Sequence, residues 1–397
     1  RTEGMLARLL KLPIKFLQMR RHRVAAVAEL KIDDFQEKMK EIDPDLFLID
    51  VELHPIIFGA LATGKPVGLT STWISLHKRP GLPPLHKPNV PGEGFWGHWF
   101  GIEVTWILYW LRKYGYSWAT WILNAGTDKL SILKVLSRQK GIRFNQTADR
   151  YEWLIPIVYK NLPVFSLNSI RFDFPHSPPH FYHYVGPMMR LNETDPKAED
   201  HELSPEEERL EALLVRHADP ASKGNRKLVY CAFGAFYKGN DSAFFRRVVD
   251  AVAQHPEWDV IFGLGGRMNP RELGSVPQNV HLFGWIPQVR VLARADAAVI
   301  HAGISTINEC IYFGVPMLAY PFRGVTDQEG NAARIEFHKL GIVSERDSDS
   351  EKEIGNYIGE LLSNPELRQP VAEMSRHFQA YTTERDLLPV IEALLNG

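Results

Sequence analysis

Between Trp285 and Asn331 the residue types and spacings suit the binding of an anion beside a sugar. An apolar run of buried-strand length, Ala297 to Ile300, ends at His301. Gly303 then permits a tight turn into a helical pattern whose first residues include two small hydroxyls, Ser305 and Thr306. The first turn of a helix leaves backbone N–H groups without partners, and its positive end attracts a phosphate. His301 adds a further donor. Glu309 lies three and four residues beyond Thr306 and Ser305, hence on the same helical face, where a carboxylate accepts from the two hydroxyls of a ribose. The set fits a nucleotide.

The flanks extend it. Trp285-Ile286-Pro287-Gln288 offers a ring to stack on a base and an amide to read its edge, on a turn that proline stiffens. After a second apolar strand, Met317 to Tyr320, Asp327 and Gln328 sit in a loop ahead of a helical pattern from Asn331 to Leu340. An acid beside an amide suits sugar hydroxyls. Taken singly, each residue has a plainer account: Trp285 as core, His301 as a structural imidazole, Glu309 as a solvated helix residue. Together, W-x-P-Q, H-x-G-x-S-T-x-x-E, G-V-P-M and D-Q-x-x-N resemble the donor-binding signature of the UDP-dependent glycosyltransferases, the family of plant glucosyltransferases and animal glucuronosyltransferases.

That resemblance implies an α/β chain with the GT-B fold, two Rossmann-like domains facing across a cleft. Residues 1–190 would form the acceptor-binding domain, 191–225 an acidic linker, 226–375 the nucleotide-sugar domain, and 376–397 a helical segment crossing back. The family's first strand and the loop with its catalytic histidine find no counterpart ahead of Asp45, so the first domain reads as incomplete. Asp50 resembles the aspartate that orients that histidine, a helix N-cap being its plainer reading. His54, close in sequence, reads as a bystander. Gly234 ends the run KLVYCAF at the phosphate loop, where Ala235 stands in place of a frequent serine. The implied reaction moves a sugar from a UDP-sugar to a hydroxyl of a hydrophobic small molecule, with inversion and without metal. The UDP-sugar is a co-substrate and no cofactor is expected. Gln328 points to glucose, and Arg323 offers a charged sugar as the competing choice. A nucleotide-sugar epimerase of the same architecture and a nucleotide-binding relative without turnover are the alternatives.

Bulk properties bound the rest. The chain has 397 residues, formal net charge −1, and two cysteines, Cys231 and Cys310, inside apolar patterns. Nucleic acid is disfavoured as a partner, because phosphate backbones demand a basic excess. Two cysteines give no disulfide framework and suit the cytoplasm. Asp43-Pro44-Asp45 and Asp347-Ser348-Asp349 read as turn chemistry, and no metal site is implied.

Supporting elements follow from periodicity. Val24 to Ile42 reads as helix and Asp45 to Asp50 as strand, with further strands at 67–72, 155–159, 163–167, 183–189, 260–263 and 280–283. Ser204-Pro205-Glu206-Glu207 reads as a helix start, and the last helices fall at 370–381 and 387–395. Trp99, Ile102, Trp106, Tyr109, Trp110 and Lys113 form an aromatic stripe at helical spacing. It is open to three readings: core, a peripheral membrane belt, or the wall of an apolar acceptor pocket.

Overall fold

The apolar runs that close on Asp50, Ser71, Ala232 and Ile300 become parallel strands; the last three are buried on both faces, as continuous apolar stretches require, while the edge strand ending at Asp50 leaves Leu48 exposed. The computed structural model describes residues 12–150, 157–189, 191, 204–234, 242–265, 270–324, 327–381 and 383–396. Ala235, in the phosphate loop, lies outside them. In the first half, β1 (Phe47–Asp50), β2 (Val67–Ser71), β5 (Val164–Ser166) and β6 (Tyr182–Tyr184) form a parallel sheet in the order β1-β2-β5-β6. A separate antiparallel pair joins β3 (Ala148–Arg150) to β4 (Ile157–Tyr159).

The second half holds β7 (Lys227–Ala232), β8 (Trp258–Gly263), β9 (Val280–Phe283), β10 (Ala297–Ile300), β11 (Met317–Ala319) and β12 (Gly341–Val343). Their spatial order, β9-β8-β7-β10-β11-β12, is the doubly wound order 3-2-1-4-5-6. Its direction reverses between β7 and β10. Helices Ser242–Ala253 and Glu351–Ser363 cover one face, burying Val248, Val252, Ile354 and Ile358 against Val229, Val260 and Val299.

Three expectations about elements change. Val24 to Ile42 is two helices, Met19–Glu29 and Ile32–Ile42, because Lys31 takes a left-handed conformation with φ 51°. The strand expected over 183–189 spans only Tyr182–Tyr184. Val185, Gly186 and Met188 still donate backbone bonds to Ser166, Asn168 and Leu167, but Pro187 has no N–H and breaks the ladder. The helix start read at Ser204-Pro205-Glu206-Glu207 is present as the helix Pro205–Ala218, begun by a capping box between Ser204 and Glu207. Arg209 donates to the Leu282 carbonyl and Glu206 accepts from Gly284 N–H, so this helix packs on the second sheet and not between halves. The final helices span Pro365–Gln379 and Thr383–Asn396, longer than the pattern suggested. The last one packs on β6, and Tyr381 Oη donates to the Tyr184 carbonyl.

The aromatic stretch is one helix, Trp99–Leu123, of 25 residues. Ile102, Trp106 and Tyr109 turn inward, and Trp106 Nε1 donates to the Leu82 carbonyl at 2.8 Å. Trp99 is exposed, so the stripe is core along part of its length only. Among the described residues no helix is long and apolar enough to cross a membrane.

Candidate nucleotide-sugar site

Ala232 and Ile300 are register partners at the carboxyl ends of β7 and β10, where the strand order reverses and α/β sheets open a crevice for ligands. The chain leaves β7 through Gly234, at φ 68°, and leaves β10 through His301. The sharp turn expected at Gly303 is made one residue earlier: Ala302 is left-handed with φ 61°, while Gly303 has an ordinary φ of −70°. Asn331 Nδ2 donates to the Ala302 carbonyl at 3.2 Å and helps hold that strained residue. Gly303 is needed for space. A Cβ there would lie 2.6 Å from His301 Nε2, and one at Gly234 would lie 2.7 Å from His301 Cε1. The imidazole therefore sits in a slot between two glycines.

The helix Ile304–Phe313 starts at Gly303 without a side-chain cap, so its first N–H groups face the crevice unclaimed by any capping side chain. His301 is buried, and burial lowers its pKa to about 4; the Ala232 carbonyl opposes this shift and Arg346 adds to it. At neutral pH the ring is uncharged. It donates from whichever nitrogen carries the proton.

Trp285 is 62% exposed just beyond β9, which excludes the core reading. Gln288 is knitted into the set: its Oε1 accepts from Tyr230 Oη at 2.8 Å, and its Nε2 donates to Thr306 Oγ1 at 3.2 Å and to Glu309 Oε2. This ties together three residues of the motif, and a carboxylate keeps further lone pairs for a diol. Ser305 is exposed on the same first turn.

Asp327 and Gln328 do not precede the next helix as a free loop. That helix is Gln328–Phe337, with Asp327 as its N-cap residue. Gln328 Oε1 accepts from Phe322 N–H at 3.0 Å, and Asp327 Oδ2 accepts from Asn331 Nδ2 at 2.9 Å. Both are buried, so packing holds them in place. Arg323, the candidate for a charged sugar, pairs with Glu345. Asp50 stands at the end of β1, where its Oδ1 accepts from Glu52 N–H at 2.8 Å. It does not cap the next helix, whose N-cap residue is Leu53. Among the described residues no hydrogen bond or ion pair joins Asp50 to a histidine. His54 instead meets Tyr159 Oη at 3.0 Å in a buried pocket, as a structural residue would. Cys231 and Cys310 are buried free thiols, and no group of three potential metal ligands occurs among the described residues.

Sequence reasoning missed the charge cluster at the junction of the halves. Arg334, on the helix that begins at Gln328, donates to Asp173 Oδ1 from Nε at 2.9 Å and from Nη2 at 2.8 Å. Arg79 and Tyr184 Oη bind the other carboxylate oxygen. Asp173 lies in FDFP, which carries no local motif, and only the fold brings three distant segments together.

Several buried and partly buried histidines share a pH consequence. Burial holds His54 and His86 down at about 3, and His77 and His301 at about 4. Between those values and about 6.5 the unfolded chain binds protons that the native imidazoles refuse. Stability is therefore present above about pH 6.5 and falls as pH drops, by up to about 1.4 kcal/mol per pH unit for each such histidine. Urea midpoints measured from pH 7 to pH 5 should decline steadily; a flat profile would contradict the burial.

Comparison with known proteins adds family and fold. Residues 211–384 match the family described as UDP-glucoronosyl and UDP-glucosyl transferase. The oleandomycin glycosyltransferase of Streptomyces antibioticus is 32% identical over 161 residues, 38% of this chain and 36% of that protein. The human 2-hydroxyacylsphingosine 1-beta-galactosyltransferase is 30% identical over 164 residues, 41% of this chain and 29% of that protein. The aligned stretch thus spans well under half the length of these relatives. Among solved structures, the calicheamicin glycosyltransferase aligns with a TM-score of 0.59 at 19% identity, covering 100% of this chain and 82% of that one. Glycosyltransferase VinC in complex with DTDP gives 0.59 at 16%, covering 100% and 84%. These likenesses concern the fold, which is the GT-B arrangement of two Rossmann-like units. Residues 211–384, whose strands, glycine slot and helix N-terminus carry the signature, are thus similar to the UDP-glucoronosyl and UDP-glucosyl transferase family.

Proposed function

We propose that the protein transfers a sugar from a UDP-sugar to a hydroxyl of an apolar acceptor, with inversion at the anomeric carbon. The observation that carries this reading is His301, held neutral in a glycine slot beside an uncapped helix N-terminus at the switch point of the second sheet. In this reading Trp285 stacks on the base and Gln288 reads its edge. Glu309 binds the ribose. His301, Gly303, Ser305, Thr306 and the backbone after Gly234 hold the diphosphate, offsetting the charge of the leaving group. Asp327 and Gln328 hold the sugar, with glucose the leading choice, and no cofactor takes part. Asp50 orients a histidine that acts as base on the acceptor hydroxyl. Residues 1–190 would serve the acceptor and 226–375 the donor. The galactosyltransferase relative is named for an acylsphingosine, and the aromatic helix Trp99–Leu123 in the first half suits a comparably apolar acceptor.

One observation favours a second reading. Among the described residues Asp50 bonds Glu52 and no histidine, as in a nucleotide-binding protein without turnover. Incubation with UDP-glucose and a panel of flat or lipid-like hydroxylated acceptors decides between them. Glycosylated product with stoichiometric UDP, abolished by His301→Ala, is the expected result. UDP binding without any product would establish the second reading, and donor conversion without acceptor would indicate an epimerase.

A further inference from the structure

The outward side of the helix Trp99–Leu123 has a composition that its inward side does not explain. Phe100, Ile107, Leu111, Tyr114, Trp118 and Trp121 recur at intervals of seven or four and three, so they form a second stripe along a helix about 37 Å long. All six are exposed, Leu111 at 64% and Trp118 at 68%, whereas Ile102, Trp106 and Tyr109 of the inward face are buried. One charged residue falls on this stripe: Glu103, between Phe100 and Ile107, pairs with Lys78 at 2.6 Å.

At its carboxyl end the stripe runs into a cleft of about 460 Å³. Tyr114, Trp118 and Trp121 form one wall, and Arg23, Lys134 and Arg138 are among the residues that line the remainder. The cleft's one acid, Asp128, is occupied as an N-cap, accepting from Ser131 N–H and Oγ. Aromatic rings that continue into a cationic cleft match the boundary of a bilayer, where acyl chains lie next to anionic headgroups. A second copy of the chain is the poorer occupant, since it would bring the same cations, and the one acid on its stripe, Glu103, is already paired with Lys78.

We propose that this face docks the protein on an anionic lipid surface, the stripe lying in the plane of the interface and Arg23, Lys134 and Arg138 receiving a lipid phosphate. The helix lies on the bilayer and does not cross it, in keeping with its polarity. The inference is independent of the transfer reaction.

Co-sedimentation of the full chain with phosphatidylcholine vesicles, with and without phosphatidylserine, tests it. Binding should require phosphatidylserine and weaken with added salt. It should fall at least about tenfold in Leu111→Ser/Trp118→Ser and in Lys134→Glu/Arg138→Glu, with unchanged far-UV circular dichroism. Should either variant misfold, the lipid and salt dependence of the unaltered chain still decides. Equal binding to both vesicle types, binding unaffected by the folded variants, or no binding at all would overturn the proposal. So would a concentration-dependent dimer, abolished by Leu111→Ser/Trp118→Ser, in a chain that ignores vesicles.

Discussion

Replacing Asp173 with alanine is expected to lower the unfolding free energy by about 3–5 kcal/mol, because it leaves two buried guanidinium groups without their counter-charge. The side chains of Arg79 and Arg334 are 5% and 1% exposed around a fully buried carboxylate. Tyr184 Oη at 2.8 Å and Phe174 N–H at 2.8 Å complete the shell of acceptor bonds. Burial alone would raise the Asp173 pKa. The two arginines outweigh it and hold the carboxyl well below the usual carboxylate range. A depressed folded pKa contributes stability that is fully present above the unfolded value of about 3.9 and is lost as pH falls toward the folded one. Its loss therefore begins below about pH 4, on the acid side of the histidine effect. Urea unfolding at pH 7 measures the first expectation. Asp173→Leu combined with Arg79→Met and Arg334→Met is the informative control, since removing all three charges should restore much of the loss. A cost under about 1 kcal/mol for Asp173→Ala would show that water reaches the cluster.

The second large effect is expected on turnover. Gly303→Ala should reduce sugar transfer by about 10²–10³-fold, the scale of losing one transition-state donor, with a much smaller loss of stability. Its backbone is no obstacle, because φ is −70°. The added methyl would stand 2.6 Å from His301 Nε2, so the imidazole must leave its slot, and with it the donor that the proposed reaction needs at the leaving diphosphate. The effect should match that of His301→Ala, and the double variant should be little worse than either, as residues acting through one group behave. Steady-state kinetics with UDP-glucose and an accepted acceptor provide the measurement. Gly303→Ala at nearly full activity would remove His301 from the diphosphate's surroundings.

Much of this site was legible from local order. The motif from His301 to Glu309 lies on one strand end and one helix turn, where period and spacing fix which side chains share a face. The alternation of apolar runs and helical stretches also announced two α/β units. Residues that depend on distant neighbours were not legible. The turn was assigned to Gly303 because glycine is the usual left-handed residue, yet Ala302 adopts that conformation while Asn331 bonds its carbonyl and the glycine makes room for an imidazole. The Gln328 helix began earlier than its apolar pattern, because a buried N-cap aspartate carries no period.

By itself the sequence determined the strand that ends at His301, the helix that follows it, and the residue types able to meet a nucleotide, since each depends on contacts within a few positions. Tertiary structure decided the rest. It joined Gly234 to His301 across two strands, set Asp173 between Arg79 and Arg334, and split the aromatic helix into a buried face and an exposed one. Those outcomes depend on which surfaces pack against one another, and burial is a property of the assembled chain that no single segment carries.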